Sequence, residues 1–230
     1  MKQTNRLLTL CMGLCLVAAC LFSNSAAAAE RVTITSSPQT ARIYVNGVQM
    51  GTGKVEIKIS KNTCTTIEVK QEGYIGEIRT YCNKKGMTDP PSTDYIQLQE
   101  DESYTSSIES NIANTEVQVN VNTAKTKEEA WKQIMSTVLD KFDVLENSDE
   151  KSGYLRTSWV GMNFKANTVR IRLIIKQSSE KPLVYKVKFV SEASGRSSTS
   201  YNADEQFRPY NRILKKYDGF LDELVTRLKN

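Results

Sequence analysis

The chain has 230 residues, enough for one large domain or two small ones. Its 31 basic and 26 acidic residues give only a mild positive balance, which does not indicate a nucleic-acid partner. The chain contains no histidine, so catalytic systems built on a histidine base and histidine-ligated metal sites are excluded. No pair of carboxylates is placed by pattern in a cleft. We therefore expect no enzymatic activity, no cofactor and no metal.

The first residues have the pattern of a secretory signal peptide. Lys2 and Arg6 precede an apolar run over residues 7–22, and small residues follow as far as Ala29. The apolar run is shorter than the ~20 residues that cross a bilayer as a helix. Cleavage after Ala29 would make residues 1–29 the signal peptide. The pattern predicts export, to the periplasm or the outer membrane of a bacterium.

A second cleavage site remains open. Residues 17–20, Val-Ala-Ala-Cys, resemble a bacterial lipobox, and cleavage there would make Cys20 a lipidated N-terminal residue that tethers the protein to a membrane. The alanine-rich segment that ends at Ala29 lies directly before the first strand-like residues, which favours a soluble protein over a lipid-anchored one.

Two cysteines are placed at equal distances from a glycine. Residues 63–69 and 75–81 alternate as strands around a turn at Gly73, so opposed residues have numbers that sum to 146. Cys64 and Cys82 satisfy that sum. Opposed residues of an antiparallel pair have Cα atoms roughly 4.5–5.5 Å apart, which a disulfide tolerates. The spacing predicts a cross-strand Cys64–Cys82 disulfide and hence an oxidising compartment.

The rest of the N-terminal region predicts an all-β module over residues 30–99. Asn46-Gly47 between alternating apolar runs is a strong hairpin signal. The glycines near this turn serve turn geometry, since no helix follows to present its N-terminus to a phosphate. Besides the hairpin that carries the cysteines, we expect strands over residues 32–35, 41–45, 55–59 and 94–99.

This segment resembles the PEGA domain family, small all-β modules of exported and surface proteins. Thr40 replaces a glycine of the family pattern, and residues 52–54 stand where a threonine-proline is usual. The resemblance implies a β-sandwich-like interaction or spacer module without catalytic residues. The residues that carry it are Ser37-Pro38, Ala41-Arg42-Ile43-Tyr44-Val45-Asn46-Gly47, Gly51 and Glu72-Gly73-Tyr74.

Residues 100–115 are polar and serine-rich and are interpreted as a linker, with room for a helical turn, to a domain over residues 116–230. Thr126 and Glu129 have the spacing of a capping box at the start of an amphipathic helix. The predicted order is β-α-β-β-β-β-α, an α+β domain with an antiparallel sheet and its helices on one face. The elements are strands over 116–121, 142–146, 154–160, 168–176 and 183–190, with a final helix from about 205 to 229.

This order is similar to the helix-grip domains of the lipoprotein C subunit of the bacterial outer-membrane β-barrel assembly machinery. The likeness is carried by residues 130–160, where an aromatic residue opens the helix and Asp149 and Gly153 precede a strand. It implies an envelope adaptor domain for residues 115–230.

One strand face of this domain carries cations. Serines and Lys181-Pro182 mark the turn between the strands over 168–176 and 183–190. A hairpin that turns about Ser179 would place Arg172 opposite Lys186 and Arg170 opposite Lys188. Arg156, on the preceding strand, has matching parity. This stripe is the candidate interaction surface for an acidic protein, a phospholipid headgroup or an anionic glycan. The alternative is a solvated sheet face with edge-protecting cations.

Aromatic residues suggest a second possibility. A cavity between the sheet and the C-terminal helix would make the protein a carrier of a small apolar ligand, although large aromatics more often fill a core. The candidate lining residues are Trp159, Tyr185, Phe189, Tyr217 and Phe220.

The sequence therefore predicts a non-enzymatic exported envelope protein, an adaptor that binds another envelope protein or an anionic envelope component. The small-ligand carrier is the alternative function.

Overall fold

The computed structural model describes residues 30–230, so the predicted signal peptide and Cys20 lie outside the described residues. The described chain divides into two compact units. The N-terminal unit comprises the residues up to Lys70 together with Gly76–Gln97, and the C-terminal unit comprises Gln71–Ile75 and Leu98–Asn230. As predicted, the fold is rich in strands, with several antiparallel sheets and few helices.

Within residues 30–230, nine strands precede the first helix. Two of them, the short strands β6 and β9, pair with each other and belong to the C-terminal unit. The strands are β1 Glu30–Ser37, β2 Arg42–Val45, β3 Val48–Thr52, β4 Lys54–Ile59, β5 Thr63–Lys70, β6 Tyr74–Ile75, β7 Glu77–Asn83, β8 Thr93–Gln97 and β9 Gln99–Glu100.

The N-terminal unit contains two sheets. One has the order β4-β1-β8, in which β8 runs parallel to β1, and the other has the antiparallel order β3-β2-β5-β7. Asn46 and Gly47 form the turn between β2 and β3 with positive φ values of 48° and 84°, as a two-residue hairpin turn requires. The buried apolar side chains are Val32, Ile34, Ile57, Ile59 and Ile96 of the first sheet, and Ile43, Ile67, Val69 and Tyr81 of the second.

The C-terminal unit is built on a seven-stranded antiparallel sheet of order β11-β16-β15-β13-β12, with β14 also paired to β15 and β17 to β16. Strands β10 and β18 form a separate pair. The elements are α1 Glu102–Thr105, β10 Ser107–Glu109, β11 Val117–Asn120, α2 Lys127–Leu139, β12 Leu145–Asp149, β13 Tyr154–Thr157, β14 Val160–Asn163, β15 Thr168–Glu180, β16 Leu183–Ala193, β17 Arg208–Pro209, β18 Arg212–Leu214 and α3 Phe220–Lys229, with 3₁₀ turns at Asp204–Gln206 and Lys215–Tyr217.

The predicted capping box opens α2. The Thr126 hydroxyl accepts a hydrogen bond from the Glu129 backbone N–H at 3.2 Å, and the Glu129 carboxylate accepts one from the Thr126 N–H at 2.9 Å. The apolar stripe of α2 packs with α3 against the inward side chains of β15 and β16 in one core. The buried apolar residues of the two helices are Ala130, Trp131, Ile134, Val138, Phe220, Leu224 and Leu228.

The predicted final helix over residues 205–229 is wrong in its first half. Only Phe220–Lys229 is α-helical, and Pro209 lies in the edge strand β17. Proline has no N–H to donate to a helix or a central strand, so an edge strand accommodates it. Gly219, with a φ of 73°, precedes the helix. The apolar residues before Gly219 point into the core from strands and 3₁₀ turns instead.

The segment interpreted as a linker, residues 100–115, contains α1 and β10. Its serines are partly used inside the fold, because the buried Ser107 hydroxyl donates to the Ser103 carbonyl oxygen at 2.7 Å. The short helix α1 agrees with the helical turn that the linker interpretation allowed.

Candidate functional site

The predicted basic stripe lies on the β15–β16 hairpin, which turns at Lys181-Pro182 and not at Ser179. The prediction that Arg172 faces Lys186 is therefore wrong: Arg172 lies opposite Val190, and Lys186 lies opposite Lys176. The turn is displaced by two residues, so the same side chains still point away from the helices. We call this solvent-side surface of the sheet the outer face.

The predicted interaction surface required Arg170 to be an exposed contact residue. Arg170 is instead a buried cation. It lies opposite Glu192, not Lys188, and its side chain is only 2% exposed. Its Nε donates to the Glu192 carboxylate at 2.9 Å, and Nη1 lies 2.7 Å from the Asp204 carboxylate. A cation out of water requires such partners, because its desolvation cost is otherwise uncompensated. The two carboxylates hold Arg170 inside the protein.

Aromatic rings complete the surroundings of the buried arginine. The Arg170 guanidinium carbon lies 4.0 Å from the ring centres of both Trp159 and Phe207, and that of Arg172 lies 4.2 Å from Trp159. These are cation–π contacts. Trp159 therefore lies on the outer face with the arginines, and its prediction as a lining residue of a sheet–helix cavity is wrong.

A loop crosses the outer face above Arg170. We call residues 194–207 the strap. Arg170 donates a hydrogen bond to the Tyr201 carbonyl oxygen, and the Thr199 N–H donates to the Thr168 hydroxyl at 3.1 Å. The Tyr201 ring rests on Gly161, where a Cβ atom would lie 2.2 Å from Cε1 of the ring. Arg170 and its neighbours therefore fasten the strap to the sheet.

The two other arginines of the stripe share a carboxylate. Arg156 Nη2 lies 2.7 Å from Glu146, and Arg172 Nη1 lies 3.7 Å from the same carboxylate. Both are about one-quarter to one-third exposed, at 33% and 24%. Together with Arg170, Glu192 and Asp204, this end of the outer face has three arginines and three carboxylates, so their charges cancel.

Three lysines at the other end of the outer face carry an excess of positive charge. We call Lys176, Lys186 and Lys188 the lysine cluster. Glu116 forms ion pairs with Lys176 and, at 3.4 Å, with Lys186. These contacts lower the pKa of Glu116, the hydrogen bond from Lys176 being the main cause. Within residues 30–230, no carboxylate forms a salt bridge with Lys188.

The other four predicted cavity residues are packed against one another. Phe189 lies 5.4 Å from Phe220 and 5.8 Å from Tyr217 between ring centres. Tyr217 also stacks on Phe142 at 4.8 Å, and Tyr185 lies 6.5 Å from Trp131. All four are at most 1% exposed. Their rings pack against one another and against neighbouring aromatic rings in the apolar core, as large aromatics do at native packing density.

Two hydroxyl groups in this core have no hydrogen-bond partner among the described residues, those of Tyr185 and Tyr217. Burial raises the pKa of each to about 12. Both phenols therefore stay neutral at physiological pH and act as part of the apolar core.

In the N-terminal unit, the predicted disulfide is confirmed. Cys64 on β5 is bonded to Cys82 on β7, with Cα atoms 4.0 Å apart. The pairing of β5 and β7 follows the predicted sum of 146 from Thr63 opposite Asn83 to Val69 opposite Glu77. The disulfide therefore joins directly opposed residues of the hairpin.

A polar cluster not predicted from the sequence lies in the same unit. Arg79 donates to both carboxylate oxygens of Asp94 at 2.7 Å, and the Tyr81 hydroxyl also donates to Asp94. Burial disfavours the charged carboxylate, but the hydrogen bonds from Tyr81 and Arg79 outweigh it, so the pKa of Asp94 lies below its ordinary value. Burial and the bond to Asp94 raise the pKa of Tyr81. The cluster joins β7 to β8.

The lowered pKa of Asp94 gives the N-terminal unit an acid-sensitive contribution to stability. That contribution is fully present above the unfolded-state pKa of about 4 and is lost as the pH falls through the lower folded-state value. We expect Asp94→Asn to remove this component, and Asp89→Asn, at an exposed position of the same unit, to retain it. Urea midpoints measured from pH 6 to pH 2 test this; equal acid sensitivity of wild type and Asp94→Asn would contradict it.

The sequence interpretation missed the carboxylates that organise the outer face. Glu116, Glu146, Glu192 and Asp204 were not singled out. For Glu192 a signal existed, because it shares strand parity with Lys186 and would face Arg170 if the turn had been placed at Lys181-Pro182.

Residues 30–230 offer neither a metal site nor a membrane-spanning helix. No group of three or more histidine, cysteine or acidic side chains in that part of the chain is arranged to hold a metal ion. No helix there is long and apolar enough to cross a membrane.

Strands β1 to β7, the Asn46-Gly47 turn and the disulfide fall in the part of the chain that matches a known family. Residues 30–83 match the PEGA domain. The match ends at Asn83, the last residue of β7. It does not include β8, which the module predicted over residues 30–99 does include. PEGA domains occur in exported proteins, in agreement with the disulfide. No curated protein matches the chain.

Proposed function

We propose that the protein is a non-enzymatic, exported adaptor of the bacterial envelope that binds an acidic envelope component through the lysine cluster. In this proposal the PEGA domain is a β-sandwich-like module, and the C-terminal unit is a helix-grip-like domain whose sheet presents the binding face.

The observation that carries the proposal is the charge arrangement at the lysine cluster. Lys176 and Lys186 lie directly opposite each other on adjacent strands, where like charges destabilise a sheet. Glu116 is the one carboxylate that pairs with them among the described residues. The cluster keeps a net positive charge at a fixed place, and such a charge attracts and orients an acidic partner.

The shape of the surface supports the same function. The helices α2 and α3 pack on the inner face of the sheet, so the outer face is left to side chains and to the strap. Strand residues hold the lysines on a rigid scaffold, which lowers the entropy lost on binding. A rigid face with unbalanced charge suits recognition of a partner more than chemistry.

The test replaces the lysine cluster with neutral side chains of similar size. The wild-type protein should retain a bound envelope component, and Lys176→Gln/Lys186→Gln/Lys188→Gln should weaken its binding at least about tenfold. The difference in binding between the two proteins should shrink at high salt, because salt screens the charges. Native mass spectrometry of the protein extracted gently from its own envelope measures the bound fraction.

The matched control is Lys132→Gln/Lys141→Gln/Lys229→Gln, which removes the same charge from exposed positions outside the sheet. It should keep the component. Undiminished binding by the lysine-cluster variant would refute the proposed surface. The mass of the mature chain in the same spectra decides between Glu30 and a lipidated Cys20 as its first residue.

A further inference from the structure

A cleft of about 410 Å³ lies on the N-terminal unit, on the outer side of the β4-β1-β8 sheet. Its size falls in the range of about 300–1,000 Å³ typical of small-ligand sites. Its lining includes Thr35, Gln39, Thr52, Gly53, Lys54 and Tyr95.

The strand register lines up three of these side chains. Thr35 on β1 lies opposite Lys54 on β4 and, on its other side, opposite Tyr95 on β8. Residues that are opposite each other across a sheet point to the same face. An ammonium group, a hydroxyl and an aromatic ring therefore form a straight row across three hydrogen-bonded strands, on a scaffold that cannot easily rearrange.

Tyr95 is the aromatic element of this row and is 59% exposed. A large exposed ring beside a cleft is a common feature of binding sites. The face of the ring carries partial negative charge and stacks favourably on the slightly positive C–H groups of a pyranose sugar. The ring therefore provides a flat platform for one face of a sugar.

Polar groups around the ring supply hydrogen bonds. Gln39, Thr52 and Lys54 are exposed, and their side chains have no hydrogen-bond or ion-pair partner among the described residues. Thr35 donates weakly to the Asp94 carbonyl oxygen at 3.3 Å, which leaves its lone pairs open. Amide, hydroxyl and ammonium groups that ring an aromatic platform match the hydroxyl-rich edge of a sugar.

Gly53 lets the Gln39 backbone pack closely against the turn that lines the cleft. It has a φ of 67°, and a Cβ atom there would lie 2.4 Å from the Gln39 carbonyl oxygen. Lys54 is the one charged residue in the lining, and no acidic residue accompanies it. The charge of the cleft therefore favours a sugar that carries a carboxylate.

We propose that this cleft is a binding site for an acidic glycan, with a uronic-acid ring stacked on Tyr95 and its carboxylate paired with Lys54. The site belongs to the N-terminal unit and goes beyond the function proposed for the lysine cluster.

The experiment titrates the purified mature protein with defined oligosaccharides by isothermal calorimetry. The panel is tetrasaccharides of galacturonic acid, of mannuronic acid and of hyaluronan, with the methyl ester of the galacturonate as an uncharged match. We expect wild type to bind at least one acid of the panel, Tyr95→Ala to weaken that binding at least about tenfold, and Tyr95→Phe to retain it. Lys54→Gln should weaken binding of the acid severalfold and leave the methyl ester unaffected.

Two substitutions serve as controls. Lys58→Gln removes the same charge from the same strand away from the cleft, and Ile78→Ala removes an exposed apolar side chain from the other sheet. Both should bind as wild type does. Intact mass and circular dichroism establish that Tyr95→Ala is folded and disulfide-bonded. No binding to any acid of the panel, or undiminished binding by Tyr95→Ala, would overturn the site. Neither result bears on the lysine-cluster experiment, which measures a different surface.

Discussion

Arg170→Met is expected to lower the free energy of unfolding of the C-terminal unit by about 3 kcal/mol. The substitution leaves Glu192 partly buried without its cation and removes two cation–π contacts, with Trp159 and Phe207. Breaking a buried ion pair costs roughly 3–5 kcal/mol. The lower end applies because the Asp204 side chain is 80% exposed and can return to water.

Urea unfolding followed by tryptophan fluorescence measures this effect, since Trp159 contacts Arg170. Arg196→Met, at an exposed position of the strap, is the matched control and should unfold as wild type does. Arg170→Lys should recover only part of the loss, because an ammonium group lacks the planar fork that reaches Glu192, Asp204 and the Tyr201 carbonyl together. A wild-type urea midpoint for Arg170→Met would show that the buried cation is dispensable.

Removal of the disulfide is expected to have a similar effect on the N-terminal unit. Cys64→Ser/Cys82→Ser should lower its free energy of unfolding by about 3 kcal/mol, because the bond closes a loop with a sequence separation of 18 and so restricts the unfolded chain. Cys64 is exposed and Cys82 half-buried, so serine leaves no core cavity at either position. The loss would come mainly from the unfolded state.

The reduced wild-type protein supplies the internal control for this prediction. Its urea midpoint should match that of the double variant, and the double variant should not respond to a reductant at all. Equal stability of oxidised wild type and double variant would mean that hairpin pairing alone determines the stability of β5 and β7.

The features that could be predicted from the sequence are local ones. The alternation around Gly73 gave the register that joins Cys64 to Cys82, and Thr126 with Glu129 gave the start of α2. Each depends on residues within one hairpin or one helical turn, where chain connectivity leaves few alternatives.

The organisation of the outer face could not be predicted in the same way. Ser179 and Lys181-Pro182 offered two positions for one turn, and a displacement of two residues changes every cross-strand partner without changing the exposed face. The burial of Arg170 depends on Glu192 and Tyr201, which are 22 and 31 residues away in sequence. Strand parity could have indicated Glu192, but no local pattern encodes the contact with Tyr201.

The prediction of the final helix was wrong for a different reason. Apolar residues three and four apart before Gly219 matched a helical stripe, yet residues before it form strands and 3₁₀ turns that bury the same side chains. Gly219 indicated the boundary that the structure has, whereas Pro209 lies in strand β17, eleven residues before the helix; tertiary packing overrode the periodicity.

The fastening of the strap has a practical consequence for protein engineering. A serine-rich loop is an obvious place to insert an epitope tag or a fluorophore, but here the Gly195 N–H, the Thr199 N–H and the Tyr201 carbonyl oxygen are all bonded to the sheet or to the loop before it. The turn at Gly86 in the N-terminal unit is exposed, and a Cβ atom there would meet no neighbour within 4 Å. A label is better inserted in that turn, where the surrounding space is free of neighbouring atoms.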